Sequence, residues 1–191
     1  MPSILLLCTA NVCRSVMAQA LLSARLAAQD TPADVASAGV LSDGQRPPDA
    51  VVSVLAARGL DVSAHRSHRV TAADLAAADL VLGLAREHVR QATVLRPASW
   101  PRAFTLRELV RRGREAGPRA PGEPLENWLA GAAGGRDRRA LLGVDPADDV
   151  ADPYGGPLSG YQATARLLDE LTAELAALCW PEYPRLAGHP G

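Results

Sequence analysis

The sequence predicts a single α/β domain in which a parallel sheet is covered by helices on both faces. A chain of 191 residues fits one domain that buries its own core without disulfide or metal crosslinks. Short apolar runs alternate with helix-like segments, which is typical of a parallel sheet with crossover helices. The first apolar run leads into a loop with a cysteine and an arginine, and a helix-like segment follows. This strand–loop–helix order is a common setting for an anion-binding loop.

The residue periodicity places the individual elements. Buried strands are predicted where short and mainly apolar runs occur, at residues 3–8, 35–38 and 79–84. Helices are predicted at residues 16–28 and 49–58, where apolar residues recur at helical spacing. A third helix is predicted from Thr71 onward, and a polar helix through residues 86–88. Thr71 and Asp74 have the spacing of a capping box, which marks the start of a helix.

The C-terminal part of the chain departs from this alternation. Glycine, proline and arginine are spread through residues 111–149, so we expect an inserted loop there with a short helix at about 126–132. The last helix is predicted at 161–178, with Ser159 and Gln162 as its capping box. A short tail is expected at 180–191. The chain is therefore predicted to be one domain that carries one insertion.

The composition argues against several classes of protein. A formal net charge of −1 does not suit a broad nucleic-acid or polybasic membrane surface. Three cysteines without a CxxC pair predict neither a disulfide framework nor a zinc site. The N-terminal apolar run stops after Leu7, and no apolar stretch is long enough to span a bilayer. We expect a cytoplasmic protein that is not inserted into membranes.

The segment Cys8–Ser15 has the chemistry of an anion-binding loop. A loop that opens into a helix directs several backbone N–H groups and the positive end of the helix dipole at one point. Arg14 can pair with two oxygens of a phosphate-like group, while Cys8 faces the bound central atom as a nucleophile. The thiolate is the reactive form, and the helix start and the arginine favour it. Ser15 is placed to donate a hydrogen bond that helps the sulfur to leave.

A second candidate site residue, Asp152, lies just before the last predicted helix. A cysteine that attacks a phosphate ester must expel an alkoxide or phenoxide, which needs a proton from a positioned acid. Asp152 begins the sequence Asp-Pro-Tyr-Gly-Gly, a turn that can hold a carboxyl group at the rim of a pocket. Taken alone, the same pattern also fits an aspartate that only caps a turn.

Together these residues resemble the low-molecular-weight protein tyrosine phosphatase family. That family shows a C-x-G-N-x-C-R-S loop near its N-terminus and a D-P-Y acid loop before its C-terminal helix, which correspond here to residues 8–15 and 152–154. Three further stretches match, namely Ser37–Gly39, His65–Ser67 and Arg86–His88. The resemblance covers residues 3–110 and 149–179 and leaves the insertion outside.

The resemblance implies a three-layer, doubly wound fold with a four-stranded parallel sheet. It implies a phosphomonoester hydrolase, above all of phosphotyrosine in proteins, that needs neither a metal nor an organic cofactor. Cys8 would form a phosphocysteine, Arg14 would bind the phosphate, and Asp152 would act first as acid and then as base. The expected partner is a phosphorylated protein, and inorganic phosphate is expected to inhibit.

The resemblance also implies supporting roles. Asn11 would hold the strained backbone of the loop with His65 hydrogen-bonded to it, Ser15 would tune Cys8, and Tyr154 would form an aromatic wall. Cys13 is left open between packing and redox chemistry by the residues alone, and the resemblance favours a redox role. The expected phosphate-binding set is Thr9, Ala10, Asn11, Val12, Cys13, Arg14, Ser15 and Tyr154.

Three alternatives stay open at this point. An arsenate reductase of the same fold needs two further cysteines after the third strand, and residues 83–100 contain none. A phosphoarginine phosphatase tends to carry threonine at the position of Val12, so this valine and Tyr154 favour an aromatic ester. A non-catalytic phosphoanion-binding regulatory protein is suggested by the insertion and by Ala10, which replaces a glycine of the family and would be strained at a positive φ.

Overall fold

The computed structural model describes residues 1–41 and 43–181. Its centre is a four-stranded parallel sheet formed by β1 (Ser3–Cys8), β2 (Asp34–Gly39), β3 (Leu80–Gly83) and β4 (Ala103–Thr105). The strands lie in the order β2-β1-β3-β4, so β1 is central and β4 is an edge strand. The predicted α/β fold with a doubly wound parallel sheet is confirmed. Because all four strands run in one direction, their carboxyl ends meet at one edge of the sheet.

Helices cover both faces of this sheet. They are α1 (Arg14–Ala28), α2 (Asp49–Ala56), α3 (Ala72–Ala77), α4 (Arg86–Leu95), α5 (Leu106–Ala116), α6 (Leu125–Ala132) and α7 (Leu158–Cys179). Side chains alternate along β1, so Ile4 and Leu6 pack on the face of α1, α5 and α7, whereas Leu5 and Leu7 pack on the face of α4. Within the described ranges, no helix combines the length and the apolar character that crossing a bilayer requires.

Some predicted boundaries were wrong for identifiable reasons. The residue pattern did not show β4, because a three-residue strand is too short to display a period. Helix α5 continues to Ala116 and so takes up the start of the predicted loop. Helix α7 starts at Leu158 after Pro157, with no side-chain cap, so the predicted Ser159 capping box is wrong. The Thr71 capping box at α3 is confirmed in both of its hydrogen bonds.

The predicted insertion wraps around the edge strand β4. Its helix α6 packs Trp128 into the core on one face, and Leu141 packs into the core on the other face. Between them, the Arg136 guanidinium lies 4.0 Å from the ring centre of Trp100 and 3.9 Å from that of Phe104. The insertion therefore shares the core of the domain. Of the predicted tail, residues 182–191 lie outside the described residues.

Candidate active site

A cavity of about 300 Å³ opens at the carboxyl ends of the strands. Cys8 is the last residue of β1, and α1 begins at Arg14, so the loop between them forms the floor of the cavity. Asp152 and Tyr154 reach the same cavity from the segment before α7. We call residues 152–154 the acid turn. The lining residues are Cys8, Thr9, Ala10, Val12, Cys13, Arg14, Leu41, Gln45, Asp152 and Tyr154.

The loop backbone takes a left-handed turn at Asn11, whose φ is 54°. Asparagine tolerates this region better than most residues with a side chain. In the described chain only Asp30 is a further non-glycine residue with positive φ, so Ala10 carries no left-handed strain. Gly39 at the end of β2 lets the loop approach closely, because a Cβ there would lie 2.9 Å from the Ala10 carbonyl carbon and from the Asn11 nitrogen. The alanine that departs from the family pattern therefore fits the loop.

The Asn11 side chain ties the loop to its surroundings with three hydrogen bonds. Its Nδ2 donates to Ser15 Oγ at 2.9 Å and to Ser37 Oγ at 2.8 Å, and its Oδ1 accepts from the His68 backbone N–H at 2.9 Å. His65 Nε2 lies 2.9 Å from the Asn11 carbonyl oxygen, so this ring nitrogen carries the proton and donates. Asn11 is fully buried, and both its Nδ2 and its Oδ1 are hydrogen-bonded, which fixes the orientation of the side-chain amide.

Two donors point at the Cys8 sulfur. The Asn11 backbone N–H lies 3.3 Å from Sγ, and Ser15 Oγ lies 3.0 Å from it. Because the Ser15 oxygen accepts from Asn11 Nδ2, its own proton is free to be donated to the sulfur. Both bonds stabilise negative charge on the sulfur, which a thiolate nucleophile and a leaving sulfur require.

Arg14 spans the cavity from loop to acid turn. Its Nη2 donates to Asp152 Oδ2 at 2.6 Å and to Thr9 Oγ1 at 3.1 Å, and its Nη1 donates to the Val150 carbonyl at 3.1 Å. Its Nε is buried and has no hydrogen-bond partner in the described chain. A buried guanidinium with a free N–H beside a cavity is arranged to bind an anion.

The acid turn is held in place by the segment that precedes it. The Val150 backbone N–H donates to the Leu84 carbonyl just beyond β3 at 2.8 Å. Asp148 is 5% exposed and accepts hydrogen bonds from Arg86 at 2.8 Å and from Arg111 at 2.6 Å. Burial raises the pKa of the Asp148 carboxyl, but the hydrogen bonds and charges of the two arginines outweigh burial and leave the pKa below its usual range. Asp148 is therefore ionised and anchors the segment that leads to Asp152.

Some of the predicted site residues line the cavity, and others contact the loop from outside the cavity. The residues that line the cavity include the predicted nucleophile, arginine and acid together with Tyr154, which is 66% exposed at the rim. The predicted phosphate-binding residues Asn11 and Ser15 do not line the cavity, and neither does His65. Their side chains contact atoms of the loop. Cys13 lines the cavity but is only 3% exposed, and burial, the Asp152 charge and the Cys8 charge raise its pKa to about 12.

Sequence reasoning missed several residues that support the loop. Ser37 donates to Gln19 Oε1 at 2.6 Å while accepting from Asn11. His88 Nε2 lies 3.1 Å from Thr9 Oγ1. Both Ser37 and His88 fall in stretches that match the family pattern, and this was the only signal that marked them. Arg86 falls in the same matching stretch as His88, but nothing in the sequence paired it with Asp148 as the anchor of the acid turn.

Comparison with known proteins identifies the family. The model for the low molecular weight phosphotyrosine protein phosphatase matches residues 3–118. A probable low molecular weight protein-tyrosine-phosphatase, EpsP, of Ralstonia solanacearum is 36% identical over 107 residues, which are 56% of this chain and 72% of that protein. A protein-arginine-phosphatase of Geobacillus stearothermophilus is 29% identical over 174 residues, which are 91% of this chain and 93% of that protein.

A solved structure matches more of the chain than the family model does. The crystal structure of a low molecular weight protein tyrosine phosphatase from T. tengcongensis matches with a TM-score of 0.70 at 30% identity, and the match covers 92% of this chain and 97% of that one. The family model covers the cysteine loop and more than half of this chain. The chain therefore belongs to the low molecular weight phosphotyrosine protein phosphatase family.

Proposed function

We propose that this protein hydrolyses phosphotyrosine in protein substrates through a phosphocysteine at Cys8. The observation that carries the proposal is the convergence of Cys8, Arg14 and Asp152 on one cavity. A nucleophile, a charge clamp and an acid are the three groups that this reaction needs. A phosphoprotein is the partner, and the three free cysteines fit a reducing compartment such as the cytoplasm.

The geometry supports a two-step reaction. In the first step, the Cys8 thiolate attacks phosphorus, the bond to the tyrosine oxygen breaks, and Asp152 gives its proton to the leaving oxygen. In the second step, the Asp152 carboxylate takes a proton from a water molecule that attacks the phosphocysteine. The sulfur–phosphorus bond then breaks, and inorganic phosphate and the thiolate are released. Arg14 and the loop amides hold the phosphoryl oxygens in both steps.

The walls of the cavity favour an aromatic ester. Val12 at the loop, together with Leu41 and Tyr154 at the rim, offers apolar surface to a phenyl ring. Leu41 is 61% exposed and Tyr154 is 66% exposed, so both are free to pack against a substrate. Inorganic phosphate, the product, is expected to compete for the same loop.

Phosphoarginine is the second candidate substrate. The observation that favours it is the relative named protein-arginine-phosphatase, which aligns with 91% of this chain. A guanidinium leaving group carries several N–H donors, which Val12 cannot satisfy because it has no hydroxyl group. We therefore expect phosphotyrosine to be the better substrate.

A substrate panel tests the proposal. Purified protein is assayed with p-nitrophenyl phosphate and with phosphotyrosine, phosphoserine and phosphoarginine peptides. Steady turnover with a preference for phosphotyrosine is expected, and Cys8→Ser is expected to abolish it. Arg14→Lys should lower kcat/KM about a hundredfold to a thousandfold, the range for losing one transition-state donor. A preference for phosphoarginine would replace the proposed substrate with the second candidate.

Two further arms separate the other candidate functions. Arsenate reduction coupled to thioredoxin is not expected, because Cys179 is fully buried and burial raises its pKa well above the usual range. A wild-type protein that binds phosphate but turns over none of the esters would contradict the proposal and support a phosphoanion-binding regulatory protein.

A further inference from the structure

His88 is a buried histidine directly behind the phosphate loop. It lies in the first turn of α4 and is 1% exposed. Burial and then the positive charge of Arg14 lower the pKa of its imidazole to about 3, so the ring is neutral at physiological pH. A neutral ring places no second positive charge beside the arginine.

The polar contact of this ring connects it through Thr9 to Arg14, the residue that we call the phosphate clamp. His88 Nε2 lies 3.1 Å from Thr9 Oγ1, and Thr9 Oγ1 accepts a hydrogen bond from Arg14 Nη2, also at 3.1 Å. The other ring nitrogen, Nδ1, is buried and has no hydrogen-bond partner among the described residues. An apolar side chain would fill the same space without leaving a polar atom unpaired. The bond to Thr9 is therefore the contact for which an imidazole is needed.

A threonine hydroxyl has one proton and two lone pairs, so its orientation depends on its partners. Arg14 uses one lone pair of Thr9, and His88 engages the hydroxyl from the opposite element, α4. With both partners present, the hydroxyl cannot rotate away from the guanidinium without losing a bond. Thr9 also lines the cavity, so its orientation bears directly on the anion-binding surface.

We propose that His88 is a positioning residue for the phosphate clamp: through Thr9 it fixes the guanidinium of Arg14 in the orientation that binds the phosphoryl group. The inference deepens the proposed function and rests on it, because it takes Arg14 as the group that binds phosphate. The residue acts through Thr9 and does not touch the substrate.

The test compares variants that keep or remove this one bond. His88→Leu removes the bond at similar size, and His88→Gln keeps an amide group near the position of Nε2. Val89→Ala serves as a packing control. Val89 is a fully buried neighbour of His88 on α4, and its side chain has no polar atom with which to bond Thr9 or Arg14. For each variant, kcat and KM for p-nitrophenyl phosphate, the inhibition constant of vanadate and the Tm are measured.

We expect His88→Leu to weaken vanadate inhibition and lower kcat/KM by about tenfold to a hundredfold, the effect of losing one hydrogen bond in a charged network. His88→Gln should recover most of both losses. Val89→Ala should lower the Tm while leaving vanadate inhibition within about twofold of wild type. If His88→Leu lowers the Tm as Val89→Ala does but leaves vanadate inhibition unchanged, the role is structural and the inference is wrong.

A double-mutant cycle tests the route through Thr9. In a Thr9→Val background, which has no hydroxyl, His88→Leu should weaken vanadate inhibition less than about twofold further. If the loss of vanadate inhibition in the double variant equals the product of the losses in the two single variants, His88 does not act through Thr9. If His88→Leu does not fold, His88→Asn takes its place in both comparisons, because its shorter amide reaches the position of Nδ1 and not that of Nε2. Calorimetric binding of inorganic phosphate to all variants keeps this test independent of turnover, so a protein without phosphatase activity would contradict the proposed function and not this inference.

Discussion

Arg14 and Asp152 form an ion pair across the cavity, with Arg14 Nη2 2.6 Å from Asp152 Oδ2. The arginine side chain is 7% exposed and the aspartate side chain is 43% exposed, so Asp152 is the more solvent-accessible partner. A bound phosphoryl group brings its own negative charge to the same guanidinium. Asp152 and a bound phosphoryl group therefore compete for the same positive charge.

This pairing predicts two opposite effects of Asp152→Asn. Turnover of aryl phosphates with poor leaving groups should fall about a hundredfold to ten-thousandfold, because the general acid is lost. Good leaving groups should lose much less. Inhibition by inorganic phosphate should become about two- to fivefold tighter, since a competing exposed carboxylate is removed from Arg14. Rates across a series of aryl phosphates, with phosphate inhibition measured beside them, check both effects; an equal loss for every leaving group would show that Asp152 is not the acid.

The left-handed backbone and the amide hydrogen bonds of Asn11 can be separated by two substitutions. Asn11→Gly permits the φ of 54° but removes the bonds to Ser15 and Ser37, whereas Asn11→Ala loses the bonds and adds left-handed strain. Both variants should lose at least about tenfold in kcat/KM, because Ser15 is no longer held toward Cys8. The alanine variant should also be less stable in urea than the glycine variant, by about 1 kcal/mol. Wild-type activity in Asn11→Gly would mean that only the backbone shape matters.

Much of the fold could be predicted from the sequence, because its signals are local. Strand β1 and helix α1 show clear periods, and the cysteine loop between them has an order of residues that few other arrangements share. Strand β4 could not be predicted in the same way, since its three residues are defined by pairing with β3 and not by their own pattern. The start of α7 was missed because a proline replaced the expected side-chain cap.

The site was predictable where residues are close in sequence, and not where they meet only in space. Arg14 and Asp152 lie far apart along the chain. The turn at Asp152 also fits an aspartate that only caps a turn, and the resemblance to a family was needed to favour the role of an acid. Arg136 shows the same limit. Its guanidinium bonds Glu108 at 2.8 Å and the Ala103 carbonyl of β4 at 2.6 Å, so an insertion with a loop-like composition is fastened to the sheet edge. A composition rich in glycine and proline predicts a loop, and it cannot predict the contacts that one arginine makes with distant residues.

Asp148 predicts how the stability depends on pH. Its pKa is below the ordinary value in the folded state, so its contribution is fully present above the unfolded pKa of about 3.9 and is lost as the pH falls through the folded value. Asp148→Asn should therefore lower the free energy of unfolding by about 1–3 kcal/mol at pH 7, because Arg86 and Arg111 lose a buried partner. The difference from wild type should shrink below about pH 4.

Urea unfolding at pH 7, pH 5 and pH 3.5 measures this difference. Asp169→Asn is the matched control, because Asp169 forms an exposed ion pair with Arg25 and should change the free energy of unfolding by less than about 1 kcal/mol. A loss in Asp148→Asn that is the same at all three pH values would show that packing, and not ionisation, explains its effect.

Cys13 provides the last prediction, a role in protecting Cys8 from oxidation. Both sulfurs belong to the loop that lines one cavity, and the charge of Cys8 is among the causes that raise the pKa of Cys13 to about 12, after burial and Asp152. Peroxide oxidises the Cys8 thiolate to a sulfenic acid, which removes that charge. Cys13 can then attack the sulfenic sulfur and release water, and the disulfide that forms prevents further irreversible oxidation.

Because Cys13 must lose its proton to attack, the disulfide should form faster as the pH rises from 7 toward 9. Wild type treated with peroxide should recover most of its activity on addition of dithiothreitol, whereas Cys13→Ser should recover much less, since its sulfenic acid proceeds to the sulfinic acid. A peptide linking Cys8 and Cys13 by mass spectrometry identifies the bond. Cys179→Ser serves as the control, because Cys179 is fully buried in α7 and should not affect recovery. Equal recovery in wild type and Cys13→Ser, without the linked peptide, would leave Cys13 with a packing role only.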